Sequence, residues 1–344
     1  FTTVYLPDFL GPHKDRIKKW DVRSSILQDI PFKEKLISPF RILAPYIFSK
    51  MDFSKYDVVI VSATGAYSPN TITKGKATHI CYCHTPPRYL YGYPTAREWK
   101  NNPFFRVLGE IANHFLRMTD FESAQNVDHF IANSKEVAAR IKKFYRRDAK
   151  VIYPPIETRR VSIELHPRSG RGYYLAGGRL ARPKRVDLAV AACTKLNLPL
   201  KVFGKEFAGY GDELRKMAGP TVEFLGEITE EEKWKLFAGA KAYLSPSQDE
   251  DFGMLNVEVM AAGTPVIALR SGGAKETIID GKTGLFFDKP EVSELVKTIK
   301  KFEKMNIKSA DCVKQAKKFS KERFVTEMKE IVSKYAGITR SRNH

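Results

Sequence analysis

Two glutamates, Glu250 and Glu258, enclose seven residues that join a loop to a predicted short helix at residues 257–262. Gly263 ends that helix, and a short apolar strand follows at residues 266–269. The leading N–H groups of a helix have no partners within the helix and suit a phosphate group. Carboxylates beside them can accept hydrogen bonds from sugar hydroxyls. The spacing therefore predicts a site for a sugar joined to a phosphate.

A basic pair precedes the glutamates in the same half of the chain. Arg179 follows a strand and the glycines Gly177 and Gly178, and Lys184 lies five residues further on. An arginine fork and a lysine point charge together suit a diphosphate, and glycines allow the backbone to approach it. An arginine in a turn can equally be a surface ion-pair partner. Its position after a strand favours the phosphate interpretation.

His84 comes directly after an apolar strand and before Thr85-Pro86-Pro87, which prevents a helix from following. A histidine at the end of a strand can face a cleft and donate to a developing charge. The alternative is a structural histidine with satisfied hydrogen bonds, and the sequence does not separate the two.

Two metal sites are conceivable, and neither is expected. A zinc site at residues 79–84 would use adjacent strand positions that strain tetrahedral geometry. The acidic triplet at residues 249–251 resembles an Asp-x-Asp metal motif, but a helix N-terminus and nearby basic residues already supply positive charge there. We predict that no metal and no cofactor is required.

These residues follow strands that alternate with helices along the chain. Strands are predicted at residues 2–6, 56–62, 78–83, 127–132, 151–153, 173–176, 200–203, 222–225, 242–245, 266–269 and 284–287. Helices are predicted at residues 104–124, 135–144, 186–196, 230–238, 257–262, 292–305, 309–319 and 321–335. The polar stretch 157–172 is a predicted linker. The pattern predicts an α/β protein with two Rossmann-like, doubly wound lobes that face across a cleft.

Composition agrees with two packed lobes. The chain has 344 residues, of which 43% are hydrophobic and 12% aromatic, so two domains are expected and disorder is not. It contains no apolar run of 18 residues, no signal segment at its start and no disulfide framework among its four cysteines. A cytoplasmic location is therefore predicted.

The net charge of +19 points to anionic partners. Lysines concentrate at residues 297–301 and 314–321 on predicted helices, either as solvated faces or as a surface for an anionic membrane. A basic nucleic-acid-binding protein without catalytic activity is the alternative, although no known reading motif is present. A nicotinamide dehydrogenase is excluded because no strand is followed by Gly-x-Gly-x-x-Gly.

Together these motifs resemble family 4 of the retaining, nucleotide-sugar-dependent glycosyltransferases, which belong to the two-lobed GT-B class. The paired glutamates contribute, and the other matching segments are 84–90 (HTPPRYL), 130–134 (FIANS), 151–156 (VIYPPI), 178–184 (GRLARPK), 224–226 (FLG) and 261–267 (AAGTPVI). The chain is most similar to bacterial mannosyltransferase-like members that build surface polysaccharides. The resemblance implies a first, acceptor-side lobe at residues 1–164, a donor-binding lobe at 165–318, and a C-terminal segment, 319–344, whose helix packs back towards the first lobe.

The resemblance also implies a role for each candidate residue. The catalytic set would be His84 near the reacting face of the sugar, Arg179 and Lys184 on the diphosphate, and Glu250 on the sugar hydroxyls. The other residues expected to contact the donor are Gly178, Gly226, Phe252, Gly253, Met254, Leu255 and Glu258, of which Glu258 would accept from the ribose.

The implied reaction transfers a hexose, with mannose expected, to a lipid-linked or glycan acceptor with retention of anomeric configuration. The acceptor would be recognised around residues 88–102 of the first lobe, at the inner face of the cell membrane.

One departure from the family pattern concerns the N-terminus. Family members begin with a strand and a glycine-rich loop, whereas Gly11 is the single glycine before residue 60. We therefore expect the chain to be a fragment of a longer reading frame, with weak or no activity as it stands.

Overall fold

The computed structural model describes residues 1–10, 14–36, 40–64, 67–94, 103–157 and 172–342. The predicted linker, the expected lobe boundary, Gly11 and part of the expected acceptor segment lie at least partly outside these ranges.

The first lobe contains a sheet of four parallel strands in the order β1-β2-β3-β4. The strands are β1 (Val58–Ala63), β2 (Thr78–Cys83), β3 (His129–Ala132) and β4 (Ala149–Val151). Its helices are α1 (Lys14–Ile17), α2 (Lys33–Leu36), α3 (Phe40–Ser49), α4 (Pro103–Gln125) and α5 (Lys135–Tyr145). Ser134 caps α5 by accepting from Val137 N, as expected for a serine before a helix.

The second lobe contains six parallel strands in the order β10-β9-β8-β5-β6-β7. The strands are β5 (Tyr173–Gly177), β6 (Leu200–Phe203), β7 (Val222–Gly226), β8 (Ala240–Ser245), β9 (Val266–Leu269) and β10 (Gly284–Phe287). Its helices are α6 (Val186–Leu196), α7 (Tyr210–Met217), α8 (Glu230–Gly239), α9 (Met254–Ala261), α10 (Ala274–Thr277), α11 (Val292–Glu303) and α12 (Ser309–Ala316). All four residues of β9 are buried, as expected where helices cover both faces of a parallel sheet.

The last helix, α13 (Lys321–Arg342), returns to the first lobe. Ile331 of this helix packs in one buried cluster with Ile80 of β2, Ile131 of β3 and Ile152. Among the described residues, no helix combines the length and the apolar character needed to cross a membrane.

Several predicted elements differ from the structure in their bounds, and two of the differences concern the first strand and the site helix. Residues 2–6 form no strand, and Thr2 makes only an isolated bridge to Ser24. Helix α9 begins at Met254, three residues earlier than predicted, so Glu258 lies in its second turn. The sequence patterns also fail to predict α3, which contains Pro45, and α7, where only Tyr210, Gly211 and Leu214 are buried.

A buried carboxyl lies inside the first lobe. Asp120 on α4 is 4% exposed and accepts hydrogen bonds from the hydroxyls of Tyr91 (3.0 Å), Tyr145 (2.8 Å) and Ser68 (3.3 Å). Burial raises the pKa of Asp120 to about 6, although the three hydroxyl groups act in the opposite direction. Ionisation of Asp120 is therefore less favourable in the folded chain than in the unfolded chain.

This carboxyl predicts a specific pH dependence of stability. Because its pKa rises from 3.8 to about 6 on folding, the stabilisation present below the unfolded value is lost as the pH rises through about 6. Two pKa units correspond to about 3 kcal/mol. The free energy of unfolding, measured with urea at pH 4 and pH 7, should therefore lack this decrease in Asp120→Asn. Asp148→Asn, at an exposed carboxylate, should retain the wild-type pH dependence; equal pH dependence in all three proteins would contradict the assignment.

Candidate functional site

The order of strands in the second lobe creates a topological switch point. From β5 the chain moves outward to β6 and β7, and then returns to place β8 on the other side of β5. The loops after β5 and β8 therefore leave the same edge of the sheet in opposite directions and open a crevice. The loop after β5 carries Arg179 and Lys184, and the loop after β8 carries Glu250.

At the ends of β5, β6 and β7, this edge of the sheet is formed by glycine backbones. Gly178 N donates to Phe203 O at 2.9 Å, and Gly204 N donates to Gly226 O at 2.7 Å. Gly204 has a φ of 122°, and a Cβ at this position would overlap the carbonyl oxygen of Gly178. The strand ends are thus stacked so closely that no side chain fits between them.

The two loops meet through a charged pair. Lys184 Nζ donates to both carboxylate oxygens of Glu250, at 2.8 and 2.6 Å. Ser247 Oγ donates to the same carboxylate at 2.6 Å. Gln248 N donates to Pro183 O at 3.1 Å, which holds the backbones of the two loops together. The structure thereby brings together two of the predicted site residues that are 66 positions apart in the chain.

The charge of Glu250 is set by opposing effects. Burial favours the neutral carboxyl, but Lys184, Ser247 and the more distant Arg88 together hold the pKa of Glu250 below its ordinary value. Glu250 is therefore an ionised acceptor at neutral pH. It can exchange its lysine partner for a ligand hydroxyl.

Glu258 is placed differently, on α9 behind the loop. Its carboxylate accepts from Lys233 of α8 at 3.4 Å and is 23% exposed. Burial raises the pKa of Glu258, with Lys233 acting against this and Glu230 adding to it. A partly buried carboxylate with one long contact has capacity left for further hydrogen-bond donors.

The segment between the glutamates has both core and surface members. Phe252 is 2% exposed and packs against Tyr153 and Phe319, at ring-centre distances of 5.6 and 5.4 Å. Its side chain therefore belongs to the core. Met254, in contrast, is 53% exposed at the first position of α9, directly after Gly253.

Gly178 contacts Leu255 across the site and is followed in the chain by Arg179. A Cβ at Gly178 would come within 3.0 Å of Leu255 Cδ2, so α9 begins next to the end of β5. Arg179 is exposed, and its guanidinium lies 5.0 Å from the ring centre of Phe207. Its side chain therefore lies against the loop after β6, which carries Phe207.

His84 follows β2 in the first lobe. Its Nε2 lies 2.9 Å from Ser62 Oγ, and its ring packs edge-on against Tyr82 at 5.1 Å. Burial lowers the pKa of His84, so the imidazole is neutral at physiological pH. A neutral ring held by a serine can donate or accept one further hydrogen bond.

The first lobe also contacts the loop that carries Glu250, which the sequence did not indicate. Arg140 of α5 pairs with Asp251 and donates to Asp249 O at 2.9 Å. Arg88 donates to Asp249 O at 3.1 Å and lies 3.7 Å from Asp251. Asp251 of the acidic triplet is thus paired with arginines, and the described residues contain no cluster of three or more metal-ligating side chains.

Gly272 and Gly273, which follow β9, contact the backbone of the loop that carries Glu250. Gly273 N donates to Glu250 O at 2.7 Å. A Cβ at Gly272, whose φ is 56°, would overlap the backbone of Glu250. These glycines therefore serve the close approach of two loops.

Comparison with known families is decisive at this point. Residues 2–160 match the family described as Glycosyltransferase Family 4, and residues 160–319 match Glycosyl transferases group 1. The two matches join between the lobes and extend over both sheets. The chain is a family 4 glycosyltransferase with the GT-B fold.

Relatives and solved structures agree with the assignment. Alpha-1,3/1,6-mannosyltransferase ALG2 of Mus musculus is 25% identical over 319 residues, covering 81% of this chain and 74% of that protein. Sulfoquinovosyl transferase SQD2 of Arabidopsis thaliana is 24% identical over 268 residues, covering 74% of this chain and 51% of that protein. The fold is similar to sucrose-phosphate synthase from Thermosynechococcus elongatus, with a TM-score of 0.64, 19% identity and coverage of 91% and 82% of the two chains.

A second structural neighbour is Anabaena Alr3699/HepE, solved in complex with UDP and glucose. It has a TM-score of 0.59 and 18% identity, and the match covers 94% of this chain and 89% of that chain. Both neighbours resemble the chain across both lobes of the glycosyltransferase.

The close packing of Gly204 against Gly178 predicts that a methyl group added at Gly204 lowers the free energy of unfolding substantially. Gly204→Ala should destabilise the chain by about 3 kcal/mol, because it combines an unfavourable φ with an overlap against Gly178. Gly209→Ala is the matched control, since its φ of 74° is also positive but nothing lies within 4 Å of an added Cβ. It should cost about 1 kcal/mol. Urea unfolding measures both, and equal losses would show that the contact is unimportant.

Proposed function

We propose that the glycosyltransferase moves a hexose, with mannose expected, from a nucleotide-diphosphate sugar to a lipid-linked or glycan acceptor with retention of configuration. The expected role is cell-surface polysaccharide synthesis. The observation that carries the proposal is the Lys184–Glu250 pair at the β5/β8 switch point. The mannosyltransferase relatives support the choice of sugar.

A donor would let this pair exchange partners. The diphosphate would take the ammonium of Lys184, with Arg179 beside it, and the sugar hydroxyls would take the carboxylate of Glu250. Glu258 would accept from the ribose hydroxyls. The lysine and the arginine would stabilise the charge that develops on the leaving phosphate without a metal ion.

In the proposed reaction, the acceptor hydroxyl oxygen attacks the anomeric carbon from the face that the phosphate leaves. The bond from that carbon to the phosphate oxygen breaks as the new glycosidic bond forms. The acceptor proton passes to the leaving phosphate. His84, from the first lobe, would lie near the reacting face of the sugar and donate a hydrogen bond to the charge that develops there.

The positive charge supports contact with a membrane that holds a lipid-linked acceptor. Exposed lysines continue along α11 and α12, including Lys300, Lys301 and Lys314. Such surfaces gain affinity for anionic headgroups, and this gain falls as salt rises.

Donor binding tests the proposed function. A thermal-shift screen of nucleoside diphosphate hexoses, followed by calorimetry, should identify a saturable ligand. Lys184→Met and Glu258→Gln should each weaken its binding about tenfold to a hundredfold, as expected when a charged hydrogen-bonding partner is lost. Glu231→Gln, at a carboxylate 78% exposed on α8, is the control and should bind normally.

The alternative, a basic nucleic-acid-binding protein, predicts the opposite pattern. Binding to DNA or RNA that falls steeply with salt and ignores both site variants would favour it. Absence of any saturable sugar nucleotide would contradict the proposed function. NMR of the anomeric proton in the product tests retention separately.

A further inference from the structure

We propose that Arg140 is a positioning residue for the donor sugar. It joins the first lobe to the loop that carries Glu250 and thereby fixes where that carboxylate meets the sugar. The inference rests on the proposed function, because it assigns a role within the same site.

Arg140 is buried in the first lobe, and two of its hydrogen-bond partners, Asp249 and Asp251, lie in the second lobe. Its side chain is 2% exposed, and its guanidinium pairs with the carboxylate of Asp251 and donates to Asp249 O at 2.9 Å. These are the two residues that flank Glu250 in the chain. A planar guanidinium that holds both neighbours restrains the backbone from which Glu250 projects.

The same guanidinium also contacts the segment of the first lobe that carries His84. Arg140 Nη1 donates to Thr85 Oγ1 at 3.1 Å, and Thr85 directly follows His84. One buried side chain thus links the residue after His84 to the loop of Glu250. Arg140 therefore sets the spacing between the two sides of the proposed sugar pocket.

Further contacts close the same interface around Arg140. Ser134 Oγ donates to Asp251 O at 2.5 Å. The backbone N–H groups of Lys135 and Glu136, in the first turn of α5, donate to the Glu276 carboxylate at 2.8 and 2.9 Å. The start of α5 is therefore docked on the second lobe, and Arg140 extends from its second turn.

The backbone conformation of Asp249 is consistent with a loop held in place by its contacts. Its φ is 53°, a left-handed conformation that is unfavourable for a residue with a Cβ. Ser271 Oγ accepts from Asp249 N at 2.9 Å on the second-lobe side, while Arg140 holds its carbonyl from the first lobe. Removal of the guanidinium leaves the Asp251 carboxylate with the more distant Arg88 and lets the loop relax.

The test compares two ligands that differ only in the sugar. In Arg140→Gln, affinity for the free nucleoside diphosphate should stay within about twofold of wild type, because that ligand does not reach Glu250. Affinity for the intact sugar nucleotide should fall about tenfold, equivalent to about 1.4 kcal/mol. Equal losses for both ligands would indicate general damage, and unchanged affinities would show that Arg140 does not position Glu250. Either result would overturn the proposal.

Matched variants separate positioning from folding. Arg147→Gln removes an arginine that donates to main-chain oxygens of Val127 and Asp128 within the first lobe, and it should leave the ratio of the two affinities unchanged. Asp251→Asn removes the second-lobe carboxylate that pairs with Arg140 and should give the same selective loss. The double variant Arg140→Gln with Asp251→Asn should lose no more than either single variant.

A second readout does not depend on any ligand. Hydrogen exchange of the backbone amides at residues 248–253 should accelerate in Arg140→Gln and remain as in wild type in Arg147→Gln. If the wild-type protein binds no sugar nucleotide, the proposed function fails while this measurement still tests the link between the lobes. Unchanged exchange in Arg140→Gln would overturn that link.

Discussion

The need to neutralise a carboxylate away from water organises the site. Burial by itself raises the pKa of Glu250, and Lys184 together with Ser247 outweighs this effect and keeps the carboxylate ionised. Because the lysine comes from the loop after β5 and the glutamate from the loop after β8, the pair requires these two strands to be neighbours. The strand order of the second lobe is therefore a condition for the chemistry of the site.

Close backbone packing supplies the second condition. Gly204 lies against Gly178, and Gly272 lies against the backbone of Glu250, so the strand ends and the loop are stacked without intervening side chains. Rigid surroundings of this kind hold a carboxylate within the narrow limits that ligand recognition requires. Arg140 adds a restraint from the first lobe, so the geometry of the second-lobe site also depends on how the two lobes meet.

Most of the fold was predictable, because apolar runs of four to six residues mark buried parallel strands. Strand β2, strand β6 and helix α6 have the predicted bounds, and Ser134 caps α5 as expected. The failures have local causes. Residues 2–6 have strand-like composition but pair with no sheet, and the polar character of α7 hides its few buried positions.

The sequence by itself determined the residue types of the site: two glutamates, a lysine and an arginine, and a histidine after a strand, in an order typical of the family. Only the tertiary structure decided that Lys184 meets Glu250 and that Asp251 is bound by Arg140, 111 residues away in the chain. The physical reason is that local periodicity fixes strands and caps, whereas ion pairs between distant loops depend on strand order and on the docking of the lobes.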